Sequence, residues 1–461
     1  MKTPTLLLAS ALSLFSVSSF ADYSTAKYYE KQGDVEKYVS ELTKIAKLGH
    51  VNAQYDLATA YLNGQGVEKD ITKAYAWYLL AKDFGHPQAK DKYRELRKQV
   101  PSRREAKEAY IDLKDSFGKK LHDLRYAPIS KHTNFFPERA KLLERVEPEI
   151  DGNTRSASKA WVTIGYNVNE SGVVEDSRIL ASFPKGVIDE AALEAVKKWK
   201  FEPDVSPTGE PRRVFDLVAS FTLGSENSKV KREFERALTE YKTKLVELAD
   251  KGNSVAQNRY ALMLEHGVLE KASENEHIDW YYKAAINGNH DAQMRLMHCF
   301  ENGEGCQPDE EKAFNWLQRA SESGNERAQY QLARIMLNYG SIHYDVETAA
   351  EMLKTAAHSQ YLPAMIEYSR LLAFSDVAEL RDAQSAIKYA ELARAVDNNH
   401  PVLLSVLGSA HSELGRVQEG QVLLQQALNE ANNRSWPAQN YIKLIELSEA
   451  SMMADTTSDS Y

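Results

Sequence analysis

Cys299 and Cys306 are the chain's two cysteines, seven residues apart and flanking a glycine-rich turn. In an oxidising compartment such a pair can close a short disulfide. The equivalent places in an earlier, similar stretch hold Ala60 and Val67, which are packing residues. A stapling disulfide is therefore expected, with two free buried thiols as the alternative. Metal binding needs further ligands, and His298, adjacent to Cys299 on one helix, is a poor third. His50, His86 and His290 follow or adjoin glycines at places where asparagine stands elsewhere, which reads as turn chemistry. The carboxylates of Asp189-Glu190 and Glu310-Glu311 fall at helix starts, where they complement the dipole, and Asp189 reads as an N-cap. The sequence has no phosphate-cradling glycine loop, nucleophile elbow or paired metal-ligand helix motif. The expectation is no catalytic residue, no metal, no cofactor and no enzymatic activity.

The elements that carry these residues belong to a chain of 461 residues, 43% hydrophobic and 27% charged, enough for several folded units. Its net charge is −9 with scattered Lys and Arg, which argues against a nucleic-acid partner. Met1-Lys2, an apolar stretch from Leu6 to Val17 and Ser18-Ser19-Phe20-Ala21 form the three parts of a secretory signal, residues 1–21, with cleavage expected between Ala21 and Asp22. The alternative is an uncleaved inner-membrane anchor. Serines at positions 10, 13, 16, 18 and 19 interrupt the stretch, which falls short of the roughly 20 apolar residues that span a bilayer. A cleaved chain would be periplasmic; membrane association requires retention of the segment.

The segment Gly49-His50-Val51-Asn52-Ala53-Gln54 returns at Gly252, Gly288 and Gly324, the last three at a constant step of 36 residues. A fixed period of this size marks stacked supersecondary units. Within a unit, Ala53, Leu57 and Tyr61 share one helical face and Ala74, Trp77, Tyr78 and Ala81 another, so each unit is a helical hairpin. Asn63-Gly64-Gln65-Gly66 and Asn302-Gly303-Glu304-Gly305 supply the turns between them. Trp77, Trp280 and Trp316 occupy one slot and read as packing residues.

This pattern resembles Sel-one-like repeats, relatives of the tetratricopeptide repeat, over 22–100 and 232–375. Gln360 replaces the fourth glycine and the turn at Tyr339 to Tyr344 departs from Gly-x-Gly. Leu404, Leu407, Gly408, Gly420, Leu424 and Ala427 keep tetratricopeptide-like spacing, extending the repeats over 376–450, with a disordered tail at 451–461.

Between the repeat blocks the period vanishes. Residues 101–145 read as a helical connector and 146–225 as a small α+β domain. Trp161 to Val168 and Val173 to Leu180 form a hairpin across Asn169-Glu170-Ser171-Gly172, a helix follows Asp189, and Arg212 to Leu223 is a third strand. With Asp189-Glu190-Ala191-Ala192-Leu193 and Trp199-Lys200-Phe201-Glu202-Pro203, the order strand, strand, helix, strand resembles the C-terminal domain of TonB family proteins. The fold expected is an α-helical solenoid interrupted by that domain, with an antiparallel sheet. The aromatic-Pro dipeptide ahead of the family's first strand is replaced by Ile150-Asp151 at the matching distance, while Phe136-Pro137 fits by type only with an insertion. This puts engagement of an outer-membrane transporter in doubt.

The resemblance implies that the last strand can take up an extended peptide by main-chain hydrogen bonds along Arg212, Arg213, Val214, Phe215, Asp216 and Leu217. The alternative is that Arg212 and Arg213 only protect an exposed edge. The function expected is a periplasmic adaptor that binds protein or peptide partners of the envelope through solenoid and sheet edge. The alternatives are a TonB-family energy transducer for outer-membrane transport and an envelope enzyme, or enzyme activator, acting on peptidoglycan.

Overall fold

A computed structural model describes residues 23–128, 140–205 and 211–458. The signal segment with Ala21 and Asp22, the Phe136-Pro137 pair and residues 459–461 lie outside the described residues. The chain opens with α1 (Tyr23–Gln32), α2 (Val35–Lys47), α3 (Val51–Asn63), α4 (Ile71–Asp83), α5 (Ala89–Leu96), α6 (Arg103–Phe117) and α7 (Lys119–Tyr126). An α+β region follows: β1 (Leu142–Glu144), α8 (Gly152–Ala157), β2 (Ala160–Val168), β3 (Val174–Phe183), α9 (Asp189–Lys197), β4 (Lys200–Phe201), β5 (Asp204–Val205), β6 (Pro211–Arg212) and β7 (Val214–Leu223). The second helical block comprises α10 (Ser228–Asp250), α11 (Ser254–Glu265), α12 (Glu276–Ile286), α13 (His290–Asn302), α14 (Glu310–Glu322), α15 (Glu326–Leu337), α16 (Val346–His358), α17 (Leu362–Phe374), α18 (Ala383–Arg394), α19 (Pro401–Glu413), α20 (Val417–Asn433) and α21 (Gln439–Ser458).

Each motif of the 36-residue period has a local job. Asn253, Asn289 and Asn325 cap the first helix of their units, each side chain accepting from the backbone N–H three residues on, and His50 does the same for Ala53 through Nδ1 at 3.0 Å. Such a cap contributes about 1 kcal/mol. The glutamine that follows the repeat alanine donates to a carbonyl at the end of the preceding helix: Gln54 to Ala46, Gln257 to Ala249 and Gln293 to Ala285. Gly64 and Gly303 take left-handed conformations that end α3 and α13. Asp70, Asp309 and Asp345 cap the second helices. Of the three tryptophans in one slot, Trp77 and Trp316 are buried, while Trp280 is half-buried against Tyr260 with the Lys283 ammonium over its ring.

The sheet is antiparallel in the order β3-β2-β7. One face carries Val162, Ile164 and Phe221, which share a core with Val196 of α9 and with Trp199 just after it. The opposite face, through Trp161, Leu180, Ala181 and Phe183, packs into the same apolar core as α11 to α14. The insertion is thus sandwiched onto the solenoid. α7 clamps the N-terminal helices to the second block, where Trp316 Nε1 and Lys312 Nζ donate to the carbonyls of Tyr126 and Ala127.

Three expectations need correction. Leu142–Glu144, assigned to a helical connector, is a strand paired with Lys200–Phe201; three residues carry no readable period, and their partner lies far along the chain. Asp189 is the first helical residue rather than the cap, and its carboxylate accepts from the Ser182 hydroxyl at 2.8 Å. The last helix continues to Ser458 instead of giving way to a disordered tail at 451. That stretch has no Gly or Pro and holds Ala and Met, which favour helix.

Candidate protein-binding groove

The first helices of successive units present corresponding residues to one groove. Asn258, Met294, Tyr330 and Ile366 form one ladder at the 36-residue step; Leu262, His298, Arg334 and Arg370 form a second; Asp291, Arg327 and Pro363 form a third. The early rungs face the inserted sheet across a cleft of about 170 Å³. The later rungs stand open and line a groove of about 820 Å³ that continues past α17 to α19 and α21.

At the covered end, β7 carries a bulge. Asp216 has φ of 56°, in the left-handed region that aspartate tolerates better than most residues, and the register against β2 shifts there. Asn167 holds the bulge, its Oδ1 accepting from the Asp216 N–H at 2.9 Å. The Asp216 side chain, buried against the solenoid, meets the Arg327 guanidinium and, at 3.1 Å, His298 Nε2. Burial by itself would raise this carboxyl; Arg327 and His298 overcome it and hold the group far below the usual carboxylate range. Asp291 ties Arg327 (3.2 Å) and Arg178 of β3 (3.6 Å) into the same network. Phe215 stacks obliquely on Tyr330 at 5.7 Å between ring centroids.

Arg213 is also buried, its guanidinium shared between Glu170 at 2.7 Å and Glu175 at 2.5 Å. The expectation of an accessible peptide-binding edge from Arg212 to Leu217 is therefore corrected at several residues. Arg212 already belongs to a two-stranded pair with Asp204, Arg213 and the side chain of Asp216 are buried, and Val214 and Leu217 pack toward the sheet's own core. Neither is Arg213 a solvating edge charge. The reason is tertiary: Arg212 and Arg213 meet carboxylates of the domain itself, and Phe215 and Asp216 meet a solenoid block that begins after the domain ends.

The open groove has an apolar floor of Pro363, Ile366, Phe374, Trp436 and Leu444. Arg212, Arg334, Arg370 and Lys443 stand at its margin, together with Glu170, Glu367 and Asp376. Burial would raise Glu367, but the adjacent Arg370 guanidinium holds it below its ordinary value. Arg334 is exposed, its guanidinium 5.9 Å from the Tyr330 ring centroid.

Elsewhere, Cys299 and Cys306 are joined across the α13–α14 turn, with Cα atoms 5.8 Å apart. His50 is a cap, and His86 Nδ1 accepts from the Gln88 N–H, both turn roles. His298, weighed above only as a metal ligand, is a groove residue bonded to Asp216 and Glu301. Among the described residues no cluster of His, Cys, Asp or Glu is arranged to hold a metal ion. The signal that could have revealed the groove was the 36-residue ladder carried beyond the packing positions to His298, Arg334 and Arg370.

A solenoid of helical hairpins with an open groove is a protein-interaction scaffold. Residues 51–86, 254–289, 290–325 and 326–361 match the Sel1 repeat, and residues 155–215 match the Gram-negative bacterial TonB protein C-terminal. The chain thus carries Sel1 repeats on both sides of a TonB C-terminal-like segment. Among solved structures it is similar to a Sel1 repeat protein from Oxalobacter formigenes, at 16% identity and TM-score 0.30, covering 88% of this chain and 98% of that one. It is also similar to a protective antigen of uropathogenic Escherichia coli with an SLR fold, at 16% identity and TM-score 0.32, covering 92% and 83%. An immunity protein from Pseudomonas aeruginosa matches at 17% identity and TM-score 0.23, covering 43% and 82%. Scores this low say nothing about the groove or its occupant. No curated protein sequence matches significantly.

Proposed function

We propose that this chain is a non-enzymatic adaptor of the Gram-negative envelope, which holds an extended segment of a partner protein in the open groove between α15, α17, α19 and α21. The observation that carries this reading is the groove itself: about 820 Å³, with an apolar floor and a charged margin, beginning where the inserted sheet stops covering the ladders. An apolar floor with polar and charged groups around it can receive alternate side chains of an extended peptide segment. The inserted domain braces one end of the groove. Export rests on the signal-like residues 1–21, and the TonB-like segment fits an envelope location; among the described residues no helix is long and apolar enough to cross a membrane. Energy transduction is the weaker reading, because the side chains of the strand that would engage a transporter are already occupied, Phe215 and Asp216 by the solenoid and Arg213 by Glu170 and Glu175 of the inserted domain itself.

The test is site-specific photocrosslinking in cells, with the crosslinker at Leu447 in the groove and, as a control, at exposed Leu392 outside it. A defined protein adduct from Leu447 alone, lost when Ile366→Arg is added to a chain of unchanged melting temperature, supports the reading. Adducts of equal kind and yield from both sites, or insensitivity to Ile366→Arg, would sink it. Intact mass of the exported protein tests cleavage before Asp22.

A further inference from the structure

The covered half of the groove contains an occupant supplied by the chain itself. The segment Arg213–Asp216, a strand stretch ending in the bulge at Asp216, reaches the first helices of two successive units and places a carboxylate between His298 and Arg327. The groove thereby displays how it holds an acidic side chain, and the repeat carries the receiving position forward. One unit on, the place of His298 is taken by Arg334; one further, by Arg370. A histidine has become a guanidinium, a permanent charge with paired donors suited to carboxylates.

We propose that the open groove selects an extended protein segment bearing acidic side chains, held first at Arg334, which stands one unit on from the His298 that receives Asp216; Arg327, the other partner of Asp216, gives way there to Pro363, and Arg370 would have to share its guanidinium with Glu367. This rests on the groove being a protein-binding site, as argued above.

Charge complementarity supports it. Of the groove's three carboxylates, Glu170 is committed to Arg213 and Glu367 to Arg370, while Asp376 is exposed with no ion pair among the described residues. Arg334 and Lys443 have no carboxylate within ion-pair distance among the described residues. Cations thus exceed anions at this groove in a chain whose net charge is −9. The apolar rung of Tyr330 and Ile366 lies beside the guanidinium rung, so a segment alternating apolar and acidic side chains satisfies both. The internal occupant has that character, with Phe215 on Tyr330 and Asp216 on Arg327 and His298.

The experiment is fluorescence anisotropy of the full mature chain with a short end-blocked peptide that alternates valine or phenylalanine with aspartate. Two otherwise identical peptides carry asparagine or lysine in place of aspartate. End-blocking removes the terminal carboxylate as a source of affinity. The aspartate peptide should bind about tenfold tighter than the asparagine peptide, the size of one charge-assisted hydrogen-bonded contact, and tighter still than the lysine peptide. In Arg334→Ala, whose exposed side chain leaves the melting temperature unchanged, that preference should fall to about twofold or less. An aspartate peptide no tighter than its lysine twin, bound or unbound alike, overturns the proposal, as does a preference that survives both Arg334→Ala and Arg370→Ala. If the peptides bind equally and all are lost in Ile366→Arg, the groove still binds protein and only its acidic selectivity is refuted. Binding by vesicles of anionic phospholipid that displaces no peptide also counts against it, because the cations would then be serving a membrane surface.

Discussion

Replacing Asp216 by asparagine removes one charge from the junction between inserted domain and solenoid while keeping side-chain shape and tolerance of positive φ. Asp216 and Arg327 are both buried, with 9% and 6% of their side chains exposed, so water replaces little of the lost interaction. Orphaning a buried charge costs about 3–5 kcal/mol. Here Asp291 remains at 3.2 Å from Arg327, which lowers the expected loss to about 2–3 kcal/mol. Because burial opposes and Arg327 and His298 together depress the folded carboxyl, its stabilisation is present in full above the unfolded value of about 4 and is lost as pH falls below it. The difference between wild type and Asp216→Asn should therefore shrink as pH falls below about 4. Urea denaturation gives the loss, and hydrogen exchange locates it: amides of Val214–Leu223 and of the α13–α15 face should lose protection before those of α2–α4. A loss below about 1 kcal/mol, or one independent of acid pH, would refute the claim that this ion network holds the two parts together.

Three further outcomes follow from local geometry. His50 is buried and its imidazole pushed down to about 4 by burial, so the unfolded chain binds a proton that the folded one refuses; stability should fall as pH drops from about 6.5 toward 4, by up to about 3 kcal/mol. His50→Asn, which copies the cap of the sister units, should leave neutral stability within about 1 kcal/mol and reduce the acid slope in urea titrations by one histidine's share, since His277 and His400 are likewise pushed down to about 4 by burial; an unchanged slope would exclude His50 as a contributor. Gly66→Ala should cost more than about 2 kcal/mol in thermal melts, because φ is 70° and the new Cβ would lie 2.3 Å from the Val35 carbonyl oxygen. Gly64→Ala, whose nearest contact is 3.3 Å, should cost only about 1 kcal/mol; equal losses would show that the approach to Val35 does not matter. Cys306→Ser should lose about 2 kcal/mol, the loop-closure effect for a separation of seven residues, and reductant should lower wild-type stability without further affecting the variant.

Much of this protein is legible along its sequence because the forces responsible act within a few residues or across one repeat. The 36-residue step announces hairpins since each unit caps its own helix with Asn253, Asn289 or Asn325 and bonds its neighbour through Gln257 or Gln293. The strands at Trp161 and Val174 and the helix after Ile188 announce themselves by alternation and helical period. Where sequence reasoning stopped was at contacts whose partners no period relates. Arg213 reads as a surface charge until Glu170 and Glu175 close on it, and Leu142–Glu144 has no strand character apart from its pairing with Lys200–Phe201. Asp216 and Arg327 are 111 residues apart. The repeat pattern by itself determined that there would be a groove, because stacked hairpins bearing side chains at a fixed step must present rows of them. Only the tertiary structure decided which rungs are covered and which remain open, because that depends on where the inserted sheet docks, and docking is set by apolar packing of Trp161, Ala181 and Phe183 and by a buried ion network, both assembled from distant segments.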